Sequence, residues 1–347
     1  MRFYQVKHRH YCGIDLHART MHVCVVDAEG RKLLHENVPA SRQALVECVA
    51  PFRKDQIVAA ECIYCWYWLA DACAEEGIAF VLGHALYMKA IHGGKTKSDR
   101  IDSEKIVQLL QGGLLPQAYV YPREMRATRD LLRRRLYLVH QRAELLAHVQ
   151  LTHHQYNLES PGARLSYRAN RAGVAERFLE ADARRSVAID LGLIEQYDAT
   201  IRSMELHLEH RAQEQRGDDF LLLQTWPGIG RILALTLLYE IHDVARFAKV
   251  QHFCSYARLV RCAHESAGKT VGHGGKKIGN VFLRWALGEI AVSSLHHSDA
   301  AKKLHERLVK KHGKGKALSI LAHKIGRGIY FMLARRRAFA EEKLMAA

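Results

Sequence analysis

The 347-residue sequence contains no uninterrupted apolar run near the length of a transmembrane helix, which argues against a membrane-spanning class. Its opening residues, MRFYQVKHRHYCGID, lack the apolar segment of a signal peptide, so the expected compartment is the cytoplasm. Acidic residues are in short supply. Asp and Glu number 36 against 52 Lys and Arg, for a net charge of +16. Such an excess points to a polyanionic partner, most simply nucleic acid, and away from a membrane surface. Cysteine is present at eight residues, but a zinc pattern is not. Cys62-Ile-Tyr-Cys65 is the one CxxC, no second ligand pair follows at zinc spacing, and His153 and His154 lie in a distant segment. The cysteines are therefore expected as reduced thiols. A P-loop is missing too. Gly94-Lys95-Thr96 and Gly268-Lys269-Thr270 look like its tail, but Lys89 and Ala263 stand where its first glycine belongs. No solenoid repeat is visible.

Hydrophobic residues make up 48% and charged residues 25%, which suits folded domains rather than disorder. Residues 11–38 read as β, with Asp27-Ala-Glu-Gly30 as a turn between apolar runs. A helix is expected after Ser41, a short strand at Gln56–Glu61, a helix over 64–76 closed by Gly77, a strand at Ile78–Leu82 and a helix over 84–92. Strands that first meander and then alternate with helices predict a mixed-sheet α/β domain over 1–120. From Arg123 to about Arg216 breakers are few. The Arg/Leu-rich stretch near 126–138 and the run Leu191, Ile194, Tyr197, Ile201, Met204, Leu208 predict two long helices reversing on each other, a connector over 121–217. Clean heptads are not evident, so a coiled coil is left open beside a plain helical spacer.

A third region, 218–347, is expected to be mainly α-helical. Trp226-Pro-Gly-Ile-Gly230 between two helical runs resembles a helix-hairpin-helix element, in which amides near Gly228 and Gly230 can take a DNA phosphate. The segment HESAGKTVGHGGKKIGN reads as a flexible Gly/Lys/His loop, and basic helices follow it.

The segment KTKSDRIDSEKIV places Asp99 and Asp102 three apart on the first turn of a helix capped by Ser98. Like charges at that spacing disfavour a helix. One reading is complementation of the helix dipole. The other takes in Asp15 of the first strand and Glu61 at the end of a later strand. An acid in the first strand, one closing a later strand and a pair on a following helix is the order of an RNase H-like nuclease. There the carboxylates converge on Mg²⁺ or Mn²⁺, which offsets their repulsion and stabilises phosphoryl transfer. Lys95, Lys97 and Arg100 would then grip the phosphate backbone.

GIDLH, AAE, KTKSDRIDSEKIVQLL, WPGIGRILALTLLYEI and FCSYARLVRCAHESAGKTVGHGGKKIGNVFLRWAL together resemble the bacterial transposases of the insertion-sequence one-ten group, across nearly the whole chain. The resemblance implies a RuvC-like DEDD domain, a helical connector and a C-terminal transposase domain. It carries the four acids onto Asp15, Glu61, Asp99 and Asp102, and a nucleophilic serine onto Ser266. Here Ser266-Ala-Gly replaces the family's Ser-Gly, and Arg258-Leu-Val-Arg-Cys262 replaces a Gly-Leu-hydrophobic-Pro stretch. Ser255, Ser293 and Ser294 are the other serines considered. Lys269, Lys276, Lys277 and Arg284 would offset phosphate charge around Ser266. Implied partners are donor and target DNA, a non-coding bridge RNA and further copies of the chain, from dimer to tetramer. The rivals are a water-using metal endonuclease or junction resolvase, and a non-catalytic nucleic-acid-binding protein.

Overall fold

The computed structural model describes residues 2–91, 98–159, 164–260, 262–274 and 278–341. The chain forms two compact units, Met1–Arg123 and Glu124–Ala347.

The first unit is built on strands β1 (His10–Leu16), β2 (Thr20–Asp27) and β3 (Lys32–Pro39), followed by α1 (Arg42–Val49), β4 (Gln56–Glu61), α2 (Trp66–Glu75), β5 (Ala79–Gly83), α3 (Ala85–Ile91) and α4 (Asp99–Gln111). The sheet order is β3-β2-β1-β4-β5. β1, β2 and β3 pair antiparallel, whereas β4 runs parallel to β1 and β5 parallel to β4. This is the RNase H-like arrangement. Alternation along β1 divides the core. Cys12, Ile14 and Leu16 face one layer with Leu45 and Val49 of α1 and Leu69 and Cys73 of α2. Tyr11 faces the other with Ile106, Val107, Leu109 and Leu110 of α4. Gly13 shares the face of Tyr11, and its missing side chain lets α4 approach. A Cβ there would lie 2.6 Å from both Ser103 O and Val107 N. The α4 backbone rests directly on β1.

The second unit opens with α5 (Arg123–Gln155) and α6 (Ala181–Gln224), continues with α7 (Arg231–Ile241), α8 (Val250–Tyr256), the pair β6 (Cys262–Ser266) and β7 (Lys269–Gly274), and closes with α9 (Val281–His297), α10 (Asp299–His312) and α11 (Lys314–Arg335). The ion pairs Arg135–Glu205, Arg142–Asp198 and His148–Asp190 run in opposite chain order, so α5 and α6 are antiparallel. Val187, Ile194, Ile201 and Leu208 are buried at seven-residue intervals along α6. The distal end of this arm has a small core of its own, formed by Val149, Leu165, Val174, Phe178, Val187 and Ile194. Its proximal end joins the main core. Met125, Leu132, Leu208 and Ala212 pack with α7–α11. Arg216 breaks the helical path of α6 with φ −151° and ψ 45°.

The Trp226–Gly230 turn packs inward. Trp226 Nε1 donates to Ser294 Oγ at 3.1 Å, and that hydroxyl donates to Pro227 O at 3.0 Å. Gly228 has φ +96°, and a Cβ on it would meet Ser294 N at 2.8 Å. Gly228→Ala therefore combines backbone strain with a clash, at a cost of at least about 2 kcal/mol. A fall in melting temperature of roughly 4–8 °C is expected by differential scanning calorimetry. Among the described residues no helix is long and apolar enough to cross a membrane.

Candidate active site

The acids of the first unit gather at one end of its sheet. Asp15 lies on β1 two residues beyond Gly13, on the face that α4 covers. Its cross-strand neighbour is His22 of β2. Glu61 ends β4, one residue past that strand's last pair with β1, Ile14 with Ala60, and itself pairs with Gly83 of β5. Ile57 and Ala59 of β4 pack in the α4-side core, so strand alternation carries Glu61 to that same face. Asp99 and Asp102 open α4, where Ser98 Oγ accepts from Ile101 N at 3.3 Å. Besides Gly13, two side chains fix this first turn. His35 Nε2 lies 3.0 Å from Arg100 O, and Ser103 Oγ donates to the same carbonyl at 2.9 Å.

Asp15 and Asp99 meet through a histidine. His17 Nε2 lies 3.3 Å from Asp15 Oδ2 and 3.5 Å from Asp99 Oδ1. These donor atoms all fall within 4.8 Å of one another. Asp102 is engaged differently, with Lys105 Nζ 3.0 Å from its Oδ1. Burial pushes the Asp15 carboxyl up from the ordinary range. His17 opposes that shift, while the charges of Asp99 and Asp102 add to it. A partly buried carboxylate crowded by like charges is the electrostatic setting that a divalent cation relieves. The residues present thus fit Mg²⁺ or Mn²⁺, with carboxylate donors from β1 and α4 in one compact group. Sequence reading did not single out Gly13, His17, His35 or Lys105. The alternation Gly13, Asp15, His17 along β1 and just past its end was the available signal for the first two.

Cys62 and Cys65, beside this region, are not joined in a disulfide. Cys65 sits at the N-cap of α2 with Sγ 3.8 Å from Leu16 O. Burial raises its pKa, and Asp15 adds to the effect, so the thiol form is favoured.

In the second unit, Ser266 is the last residue of β6 and pairs with Lys269 of β7. Ala267 at φ 49° and Gly268 at φ 73° make the two-residue turn between them. The sequence reading of a flexible loop thus gives way over 262–274 to a β-hairpin that presents an exposed serine and lysine beside its turn. Arg284 of α9, Gly230 at the start of α7, and Arg100 of α4 are exposed. Lys95, Lys97, Lys276 and Lys277 lie outside the described residues. Ser294 is buried against the Trp226 turn, while Ser255 is exposed on α8 and Ser293 half-buried on α9. Asn280 caps α9 by accepting from Phe282 N and Leu283 N. Its Nδ2 donates to buried Glu240 Oε2 at 2.7 Å.

A sheet of this order, with carboxylates at the ends of adjacent parallel strands and on the helix laid across them, defines a phosphoryl-transfer enzyme of RNase H-like fold. Residues 12–156 match a family model described as a transposase, of the DEDD type of IS110, and residues 221–306 match the model of the transposase IS116/IS110/IS902 family. The chain belongs to this IS110/IS116/IS902 family of transposases, with a DEDD N-terminal domain. It is 23% identical over 332 residues, covering 94% of this chain and 90% of the relative, to the transposase for insertion sequence element IS1111A of Coxiella burnetii (strain RSA 493 / Nine Mile phase I).

Proposed function

We propose that this transposase cuts and rejoins DNA through a composite site made of the four acids and Ser266, guided by a bridge RNA. The observation that carries the reading is the meeting of Asp15 and Asp99 through His17, with Asp102 on the same helix turn and Glu61 at the end of the neighbouring parallel strand. The acids hold Mg²⁺ or Mn²⁺, which when bound supplies Lewis acidity toward the scissile phosphate. Ser266 Oγ forms a bond to phosphorus as the P–O3′ bond breaks. The serine loses its proton, and the departing 3′ oxygen takes one up. The product is a 5′-phosphoserine linkage and a free 3′-hydroxyl. A 3′-hydroxyl from the partner strand then attacks that linkage and restores the serine, so exchange proceeds without net hydrolysis. Ser266 suits the role because a tight turn presents it to solvent with Lys269 paired opposite. Lys269 and Arg284 offset charge that develops on the phosphate, and Arg100 grips the backbone near the acids. The exposed amide of Gly230, at the start of α7, is a further phosphate contact. Lys95 and Lys97 are assigned to the phosphate backbone beside Arg100, and Lys276 and Lys277 to the phosphate charge beside Ser266. Sequence choice falls to base pairing of the RNA with donor and target DNA. The excess of 52 Lys and Arg over 36 Asp and Glu suits a protein that grips both backbones. Copies of the chain assemble from dimer to tetramer, with Ser266 of one copy serving the acids of another. The domains divide this work as 1–120 for metal and cleavage, 121–217 for connection and 218–347 for the nucleophile.

The test is a denaturing gel for covalent protein–DNA adducts. Protein, the element's RNA, junction DNA and Mg²⁺ are combined for wild type, Ser266→Ala and Asp102→Asn. The expected result is an adduct in wild type that both variants lose. Cleavage without an adduct, unaffected by Ser266→Ala but abolished by Asp102→Asn, would replace the serine with water as nucleophile.

A further inference from the structure

We infer that His17 is a metal ligand, which turns an all-oxygen site into a mixed nitrogen–oxygen site that favours Mn²⁺ over Mg²⁺. The inference rests on the reading of Asp15 and Asp99 as metal-binding acids, and it adds a residue to them.

Three observations carry it. His17 Nε2 stands 3.3 Å from Asp15 Oδ2 and 3.5 Å from Asp99 Oδ1, bridging acids that come from a strand and a helix. Atoms bound to one ion at about 2.0–2.2 Å lie roughly 3–3.5 Å apart, so the spacing suits ligands of a common cation. Second, the backbone that carries the ring is placed by the fold. His17 N donates to Thr20 O at 2.9 Å, closing the turn between β1 and β2 two residues beyond Asp15. Third, Asp102 is held by Lys105 at 3.0 Å, so among the described residues the compact donor group is Asp15, His17 and Asp99.

The chemistry of that set decides between ions. Mg²⁺ takes oxygen ligands in a strict octahedron and keeps much of its water. Imidazole suits transition ions better, and Mn²⁺ accepts it while retaining affinity for carboxylate. An imidazole donor therefore raises the preference for Mn²⁺ and does little for Mg²⁺. The competing account makes His17 an imidazolium that ties two carboxylates together when no ion is bound. In that account a cation must displace it, and removing the ring would help every cation equally.

The two accounts differ in a measurement that does not depend on DNA cleavage. Full-length protein is titrated with Mn²⁺ and, by competition, with Mg²⁺. Bound Mn²⁺ is then examined by pulsed electron paramagnetic resonance for ¹⁴N coupling. Wild type is compared with His17→Ala, with His17→Asn as a polar replacement, and with Asp15→Asn. The expected result is an imidazole ¹⁴N signal in wild type that is lost in both His17 variants. Mn²⁺ affinity should fall about 10-fold in those variants while Mg²⁺ affinity stays within about 2-fold. Asp15→Asn should weaken both ions. Mn²⁺ bound in wild type without ¹⁴N coupling, or bound equally or more tightly by His17→Ala, overturns the assignment of His17 and leaves the acids in place. Failure of wild type to bind Mn²⁺ or Mg²⁺ overturns the acid site itself, and His17 with it.

Discussion

Gly13→Val is expected to destabilise the first unit by about 3 kcal/mol or more and to reduce DNA cleavage by more than about 100-fold. The cause is steric. A Cβ at residue 13 would stand 2.6 Å from Ser103 O and Val107 N, and 3.0 Å from the Val107 side chain. Two of these are backbone atoms of a hydrogen-bonded helix, which cannot rotate aside as a side-chain tip can. α4 must therefore lift or slide. Asp99 and Asp102 ride on its first turn, so any such movement carries them away from Asp15. The stability loss arises from packing and the activity loss from misplacement of reacting groups by an ångström or so. Urea denaturation of the full chain and a cleavage assay on the same preparation check both parts. Gly13→Ala should fall between wild type and valine. Full cleavage activity in Gly13→Val would mean that α4 does not need its close seat on β1.

Glu240→Ala is expected to cost the second unit about 3–5 kcal/mol near neutral pH. Glu240 is 1% exposed. Arg129 Nε donates to its Oε2 at 3.0 Å, Arg133 Nε to its Oε1 at 2.6 Å, and Asn280 Nδ2 to Oε2 at 2.7 Å. Truncation strips two guanidiniums and an amide of one shared, buried acceptor. Burial by itself would raise the Glu240 carboxyl, but the Arg133 hydrogen bond and the charges of Arg129 and Arg133 outweigh it. The carboxyl is held below its ordinary value of 4.5. The sign of the pH dependence follows. The folded form binds this proton less readily than the unfolded chain does. The stabilisation is thus complete above about pH 4.5 and is lost as pH falls through the lowered folded value. Melting curves from pH 3 to 8 should show wild type and Glu240→Ala converging at the acid end. Glu240→Gln, which keeps the shape, should lie between them. A constant gap across the whole range would show that the lost contribution is packing rather than charge.

These residues also show what the sequence made legible. The strands of the mixed sheet and the places of Asp15, Glu61, Asp99 and Asp102 along their elements could be read because each depends on local alternation, a turn signal or a cap; the strand order, set by pairing between distant segments, could not. Glu240 could not. In LLYEI it looks like the polar end of an apolar run, and its partner Arg129 lies 111 residues away. His17 was hidden by its surroundings, one histidine among 22 in a chain where most need no special role. The β6–β7 hairpin was obscured by its glycines and lysines, which suit a loop. Pairing across Ala267-Gly268 supplies the order that composition does not. The seven-residue spacing of Val187, Ile194, Ile201 and Leu208 was masked by other apolar residues between them. Contact with α5 selects which of those become the buried stripe.

The arm formed by α5 and α6 also sets a distance. From Ala181 to the break at Arg216, α6 climbs about 1.5 Å per residue, a span of roughly 50 Å. At 3.4 Å per base pair that is the length of about fifteen base pairs of duplex. The Phe178 core at the tip and the main core at the root are thereby held at opposite ends of a ruler roughly 50 Å long. Each added or deleted heptad would change its reading by about 10 Å, or three base pairs, while leaving the buried stripe in phase.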